Sequence, residues 1–273
     1  MMIKSKESFY IPDTEIWTCP MNETKNYKIF VYIPNIPVPE NGFPVLYLLD
    51  GNANFGSYVE AMRLQTRTRE KTGLHPAVII GIGYETNEPY SKERYLDFTF
   101  NADQTSLPKN PAGSKWPPHG GGKEFLAFIE DTLKPLVEQN MPINTNKQMI
   151  VGHSLGGLFV LFTLFTSPSS FQYYLASSPS IHWNEEQLLE ELDFLPERLS
   201  ELDPSKLLLT VAEKEKSHFT NMHQKTLALS EKLLDYHTKT FHHIFHEFKE
   251  EDHLTVLLPL INKTIAFFND KEI

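Results

Sequence analysis

Three observations predict an α/β fold in which helices flank a mostly parallel central sheet. Apolar runs alternate with amphipathic ones along most of the 273 residues, the pattern of strands joined by crossover helices. Two of those runs, 45–49 and 77–82, are apolar without interruption, as strands covered on both faces must be. The stretch "MIVGHSLGGLF" (149–159) sets an apolar, β-branched strand against an apolar helix with small residues at the junction.

In chain order, strands are expected at 27–34, 43–50, 76–84, 147–152, 171–178, 206–212 and 240–248. Helices are expected at 54–70, 122–140, 154–166, 184–194, 219–237 and 254–269. In the second helix Phe125, Phe128, Ile129, Leu133 and Leu136 recur at helical spacing, and Pro135 predicts a kink. No internal repeat and no linker rich in glycine and serine divides the chain, so one domain over 1–273 is expected. The longest irregular stretch, 85–121, has the length of a lid or binding loop. Gly120–Gly122, where it meets its helix, would suit a hinge.

Composition narrows the function classes. The hydrophobic fraction of 40% suffices for a sizeable core, and the net charge of -10 argues against nucleic acid and anionic membrane surfaces as partners. A local basic patch would be needed to attract an anionic ligand. Cys19 is the only cysteine, so no intrachain disulfide is expected, which suits a reducing compartment. The N-terminal residues lack the apolar run of a secretory signal. No stretch approaches the roughly 20 apolar residues of a membrane span. A cytoplasmic location is expected.

"VGHSLGG" fits Gly-x-Ser-x-Gly at Gly152, Ser154 and Gly156. Alone the pattern is weak, because small residues recur in ordinary turns. Between a strand and a helix it gains meaning. The sharp reversal strains the middle residue and exposes Ser154 at the strand tip, with glycines where the turn packs against itself. The helix N-terminus beyond it offers N–H groups to developing negative charge. Ser154 is therefore the candidate nucleophile.

A serine hydroxyl needs a base, and the base a group that orients it. In a strand–elbow–helix scaffold the order is Ser, acid, His, so the base belongs after the last strand. His253 stands there in "FKEEDHLTV". Of the other late histidines, His242 and His246 share a strand face but would lie roughly 13 Å apart, too far for one metal ion. No metal is expected. The acid should follow the strand ending at Ala212. Glu215, three residues on, is preferred over Glu213; Asp252 adjoins His253 too closely to meet it well, and a Ser–His pair without an acid is the remaining option. For the oxyanion, the N–H of Leu155 is one donor. The second comes from a loop after an early strand, and "LLDGN" places Asn52 better than the "HGGG" at 119–122.

Several stretches together carry a resemblance: "FPVLYLLDGN", "AVIIGIGY" followed by "RYLDFT", "GGGKEFLAFIEDTLKPLVE", "VGHSLGGLF" and "ASSPSIHW", in that order. The sequence resembles the putative-esterase family of α/β hydrolases over roughly residues 25–265. "GIGYET", "RYLDFT" and "SSPSIHW" look most like its siderophore-esterase branch. The resemblance implies an α/β-hydrolase fold and hydrolysis of the trilactone of bacillibactin- or enterobactin-type siderophores. It implies Ser154 as nucleophile, His253 as base, Leu155 and Asn52 as oxyanion donors, and no cofactor, the iron travelling with the substrate. It leaves the acid open, since Ala212 replaces the glycine usual at that strand end.

A ferric tris-catecholate is anionic and aromatic, so such a cleft should offer cations and π faces. Arg94, Trp183 and Lys216 are the candidate substrate-binding residues, with Lys115 and Trp116 beside them. The plain alternatives are an Arg94–Asp97 ion pair pinning the loop and Trp183 capping the core. At the level of function, the competing readings are a generic acyl esterase or thioesterase with a narrow pocket, and a non-catalytic scaffold used for binding.

Overall fold

Every apolar run read as a strand forms one. A computed structural model of the chain describes residues 7–100, 107, 110, 113–199, 204–217 and 219–271. Its eight strands are β1 (Thr14–Pro20), β2 (Asn26–Tyr32), β3 (Phe43–Leu48), β4 (Val78–Gly83), β5 (Ile143–His153), β6 (Tyr173–Ser177), β7 (Ser205–Ala212) and β8 (Phe241–Phe248). They form one sheet in the order β1-β2-β4-β3-β5-β6-β7-β8. β1 and β2 run antiparallel to their neighbours, and β3 to β8 are parallel. The parallel run brings the C-terminal ends of β3, β5, β6, β7 and β8 to one edge, where ligands bind in sheets of this kind.

The continuous apolarity of β3 and β4 follows from cover on both faces. Val45 and Tyr47 face one buried cluster, which holds the helix Leu155–Thr166 and the aromatic side of the segment 122–140. Leu46 and Leu48 face the other, under the helices Gly51–Gln65 and Leu257–Phe268. The result is a helix–sheet–helix sandwich. Leu155–Thr166 is buried from Leu155 through Phe165, which explains a helix with almost no polar stripe.

Two expectations change in detail. The disturbance expected at Pro135 lies in the turn before it: a π turn at Ile129–Leu133 absorbs the misfit, and α-helix resumes at Lys134–Asn140 with Pro135 in its first turn. Gly120–Gly122 is no hinge. Its three N–H groups donate to Thr99 Oγ1 (2.9 Å), Leu96 O (2.8 Å) and Thr99 O (2.9 Å). A Cβ on Gly122 would come within 2.5 Å of the Phe100 ring. These glycines allow close approach and act as an anchor. Of the expected lid, 101–106, 108–109 and 111–112 lie outside the described residues, and a short helix forms at Arg94–Asp97.

Candidate active site

At the end of β5 the chain reverses through Ser154 at φ 60° and ψ −118°, a region that side chains rarely enter. The reversal is held from both sides: Ser154 N–H donates to Ser177 O (2.9 Å), and Ser154 O accepts from Ser180 N–H (3.0 Å) and Leu158 N–H (3.0 Å). Glycine is needed where backbones touch. A Cβ on Gly152 would meet Gly156 O at 2.2 Å, and one on Gly157 would meet Ser177 O at 2.8 Å. Gly156 itself has ordinary space, its nearest neighbour for a Cβ being Leu49 at 3.5 Å. The close contact therefore lies at Gly157, one residue beyond the motif glycine.

Glu215 and His253 arrive on loops leaving adjacent parallel strands. Beyond β7, a 3-10 turn at Glu213–Ser217 tucks the Glu215 side chain inward until only 2% of the residue is exposed. Its Oε2 accepts from Ala212 N–H (3.0 Å) and Ser178 Oγ–H (2.8 Å), while Oε1 lies 2.5 Å from His253 Nδ1. Glu213 points elsewhere: it accepts from Glu250 N–H at 3.0 Å and sits near Lys216 and Lys249. Asp252 caps the turn after it, accepting from Leu254 N–H and Thr255 N–H. Of the three carboxylates weighed from sequence, Glu215 is the one the fold brings to His253.

The two loops are cross-braced. Lys214 N–H donates to Glu251 O (3.0 Å), and Glu247 of β8 binds Lys216 (2.7 Å), Lys249 and His223 (2.8 Å). The Lys216 and Lys249 hydrogen bonds hold the Glu247 carboxyl down at about 2. Beneath the base lies His153, its ring 4.5 Å from that of His253. Burial first, then the charges of His253 and Arg94, push the His153 imidazole well below the ordinary histidine range.

Ser154, Leu155 and His253 share one cleft of about 190 Å³, whose walls include Arg94, Tyr95, Trp116, Ser180, Trp183 and Phe219. Trp116 meets Trp183 edge-on at 4.7 Å between ring centroids, and Tyr95 lies 5.6 Å and 5.8 Å from the two. Leu155 opens its helix, so its N–H belongs to the first turn that has no intrahelical acceptor. Asn52 stands in the first turn of Gly51–Gln65, at the end of the neighbouring strand β3. Its side chain is spent on fixing that turn: it accepts from Tyr84 N–H (2.8 Å) and donates to Tyr84 O and Thr86 O. A slightly larger cavity, about 210 Å³ between Pro39, Arg69, His75 and Phe268, contains no serine–histidine pair.

Two expected substrate contacts are corrected. Lys216 is not among the cleft-lining residues, and its ammonium is taken by Glu247 and Glu213. Arg94 does line the cleft, but its Nε and Nη2 make a two-pronged pair with the buried Asp50 carboxylate, at 2.8 Å and 2.9 Å. Asp97 is not its partner; that carboxylate binds Lys25 and the Tyr27 hydroxyl. Asp50, at φ 52°, forms the turn from β3 into its helix, so Arg94 braces the strand end next to the elbow. The roles of Ser178 and Ser180 were not visible in the sequence, because "SSPS" reads as an ordinary polar turn.

The family model described as "Putative esterase" matches residues 22–252. The chain belongs to that family. It is 44% identical over 265 residues to the ferri-bacillibactin esterase BesA of Bacillus subtilis (strain 168), a match covering 96% of this chain and 92% of that protein. The crystal structure of the BES protein from Bacillus cereus superposes with a TM-score of 0.89 at 37% identity, over 98% of this chain and 100% of that one. The siderophore hydrolase EstA from Aspergillus nidulans gives 0.82 at 28%, over 98% and 99%. The fold is thus that of the α/β hydrolases, and the chain is an esterase. Among the described residues no helix is long and apolar enough to cross a membrane, and no group of three or more His, Cys, Asp or Glu could hold a metal ion.

Proposed function

We propose that this enzyme is a serine esterase that hydrolyses the trilactone of a catecholate siderophore such as bacillibactin or enterobactin, releasing iron for use. The observation that carries the reading is the pairing of buried Glu215 with His253, 2.5 Å apart, the histidine sharing one cleft with a strained Ser154. The 44% identity to a ferri-bacillibactin esterase supports the substrate class. Glu215 Oε1 accepts a hydrogen bond from His253 Nδ1–H, and Nε2 is then the ring atom that takes the proton of Ser154. Ser154 Oγ attacks the lactone carbonyl, and the N–H groups of Leu155 and Asn52 hold the oxyanion. His253 then protonates the leaving alkoxide, and water releases the acyl-enzyme by the reverse sequence. Each ester cleaved yields one hydroxyl and one carboxylic acid. Every step uses side chains and backbone of this chain, and the ferric ion is cargo.

In this reading Tyr95 and Trp116 offer flat faces to a catechol ring, while Trp183, only 2% exposed, caps the core behind them. The enzyme works in the cytoplasm, in keeping with a single, buried cysteine, on a small-molecule ester and not on nucleic acid. One observation favours a second reading, a carboxylesterase for smaller acyl or feruloyl-type esters: the charge of Arg94 is answered by Asp50, so the cleft is aromatic without being strongly basic. A product time course separates the two. Purified bacillibactin and enterobactin, iron-loaded and iron-free, should show saturable trilactone cleavage; turnover confined to short acyl esters would favour the second.

A further inference from the structure

Glu215 is not held by its loop alone. Its Oε2 receives the Ser178 hydroxyl at 2.8 Å, and Ser178 is fully buried. Ser178 is itself fixed: its N–H donates to Thr210 O of β7 at 2.8 Å, and it adopts φ 41°, a left-handed conformation for a residue with a side chain. It stands just past β6, in the segment 177–180 that also clasps Ser154 through Ser177 O and Ser180 N–H. The same segment lies 3.2 Å from the Ser154 hydroxyl, at Ser180 Oγ. One short turn thus touches the nucleophile and the acid on opposite sides.

We infer that Ser178 is a positioning residue for the acid of the triad. A carboxylate with two oxygens could rotate and offer either one, or both, to an imidazole. With Ser178 Oγ–H and Ala212 N–H both on Oε2, only Oε1 is left for His253, and the plane of the carboxylate is set. The strained φ is sustained at this position because it aims the hydroxyl at Glu215. This inference rests on the serine-hydrolase reading above.

Glycine gives a clean test, since it accepts a positive φ without strain and removes only the hydroxymethyl group. Ser178→Gly should unfold at the temperature of the wild type or close to it. Its kcat on a 4-nitrophenyl ester should fall about tenfold to a hundredfold, the scale of one lost hydrogen bond to a charged group, with KM unchanged. In a Glu215→Ala background the same change should cost less than threefold, because the group through which Ser178 acts is gone. Wild-type kcat in Ser178→Gly overturns the inference, and so does an equal loss in both backgrounds. Should Ser178→Gly fail to fold, Ser178→Ala is put through the same cycle. A wild-type enzyme without esterase activity would instead defeat the reading on which the inference rests.

Discussion

Replacing Glu215 by Gln exchanges one carboxylate oxygen for an NH2 group in a site where every neighbour donates. Ala212 N–H and Ser178 Oγ–H point at Oε2, and His253 Nδ1 faces Oε1. The amide can satisfy one side only. If its oxygen meets the two donors from Ala212 and Ser178, its NH2 faces His253, and Nδ1 must become the acceptor. The imidazole proton then sits on Nε2, the atom that should take the proton of Ser154. With the wrong tautomer held in place, kcat should fall by about ten-thousand-fold, as when the acid of a Ser-His-Asp triad becomes its amide, while KM changes little. Glu213→Gln is the control. Glu213 accepts one N–H from Glu250, a bond that an amide oxygen can also accept, and its ion pairs with Lys216 and Lys249 are solvent-exposed; activity should stay within about threefold. Steady-state kinetics of both variants on a soluble ester, with circular dichroism to check folding, decides the matter. A folded Glu215→Gln enzyme within tenfold of wild type would refute the argument and leave a Ser–His pair working alone.

Three further outcomes follow from the geometry. Gly157→Ala, whose Cβ would lie 2.8 Å from Ser177 O, should cost about 1–3 kcal/mol in urea unfolding, whereas Gly156→Ala, with 3.5 Å of room, should be near neutral; equal effects would contradict the packing described. Arg94→Ala should lose about 3 kcal/mol of stability, because Asp50, with only 3% of its side chain exposed, is left unpaired beside the elbow; a raised KM at unchanged stability would return Arg94 to substrate binding. Glu247 has a folded-state value of about 2 against 4.5 for an unperturbed glutamate, so its contribution is complete above 4.5 and disappears as pH falls towards 2. The stability gap between wild type and Glu247→Gln should close over that interval, and a gap independent of pH would exclude the ion-pair origin.

What could be read from the sequence was whatever depends on periodicity and chain order. Val45–Leu49 and Ala77–Ile82 announced covered strands because both faces of the sheet are packed. Gly152 and Ser154 marked the elbow, His253 followed from its place after the last strand, and Glu215 from its distance past Ala212. β1 carried no such signal: it is an edge strand with only Cys19 fully buried, and it is held by pairing with β2. Partner choice was equally hidden. Nothing local in Arg94 distinguishes a cleft cation from a brace for Asp50, 44 positions away, and nothing in "EKEK" says that Lys216 turns to Glu247. Ser178 looked like turn composition because its meaning lies in the carboxylate that the fold sets 2.8 Å away. Such pairings are decided by tertiary contact, which a linear pattern does not record.

The proposed chemistry depends most on Ser154 as the attacking group. The direct measurement is the rate of trilactone cleavage by Ser154→Ala, followed by product chromatography on ferric bacillibactin with circular dichroism confirming the fold. The expected result is a folded protein with no product above the uncatalysed background. Turnover at the wild-type rate would contradict it.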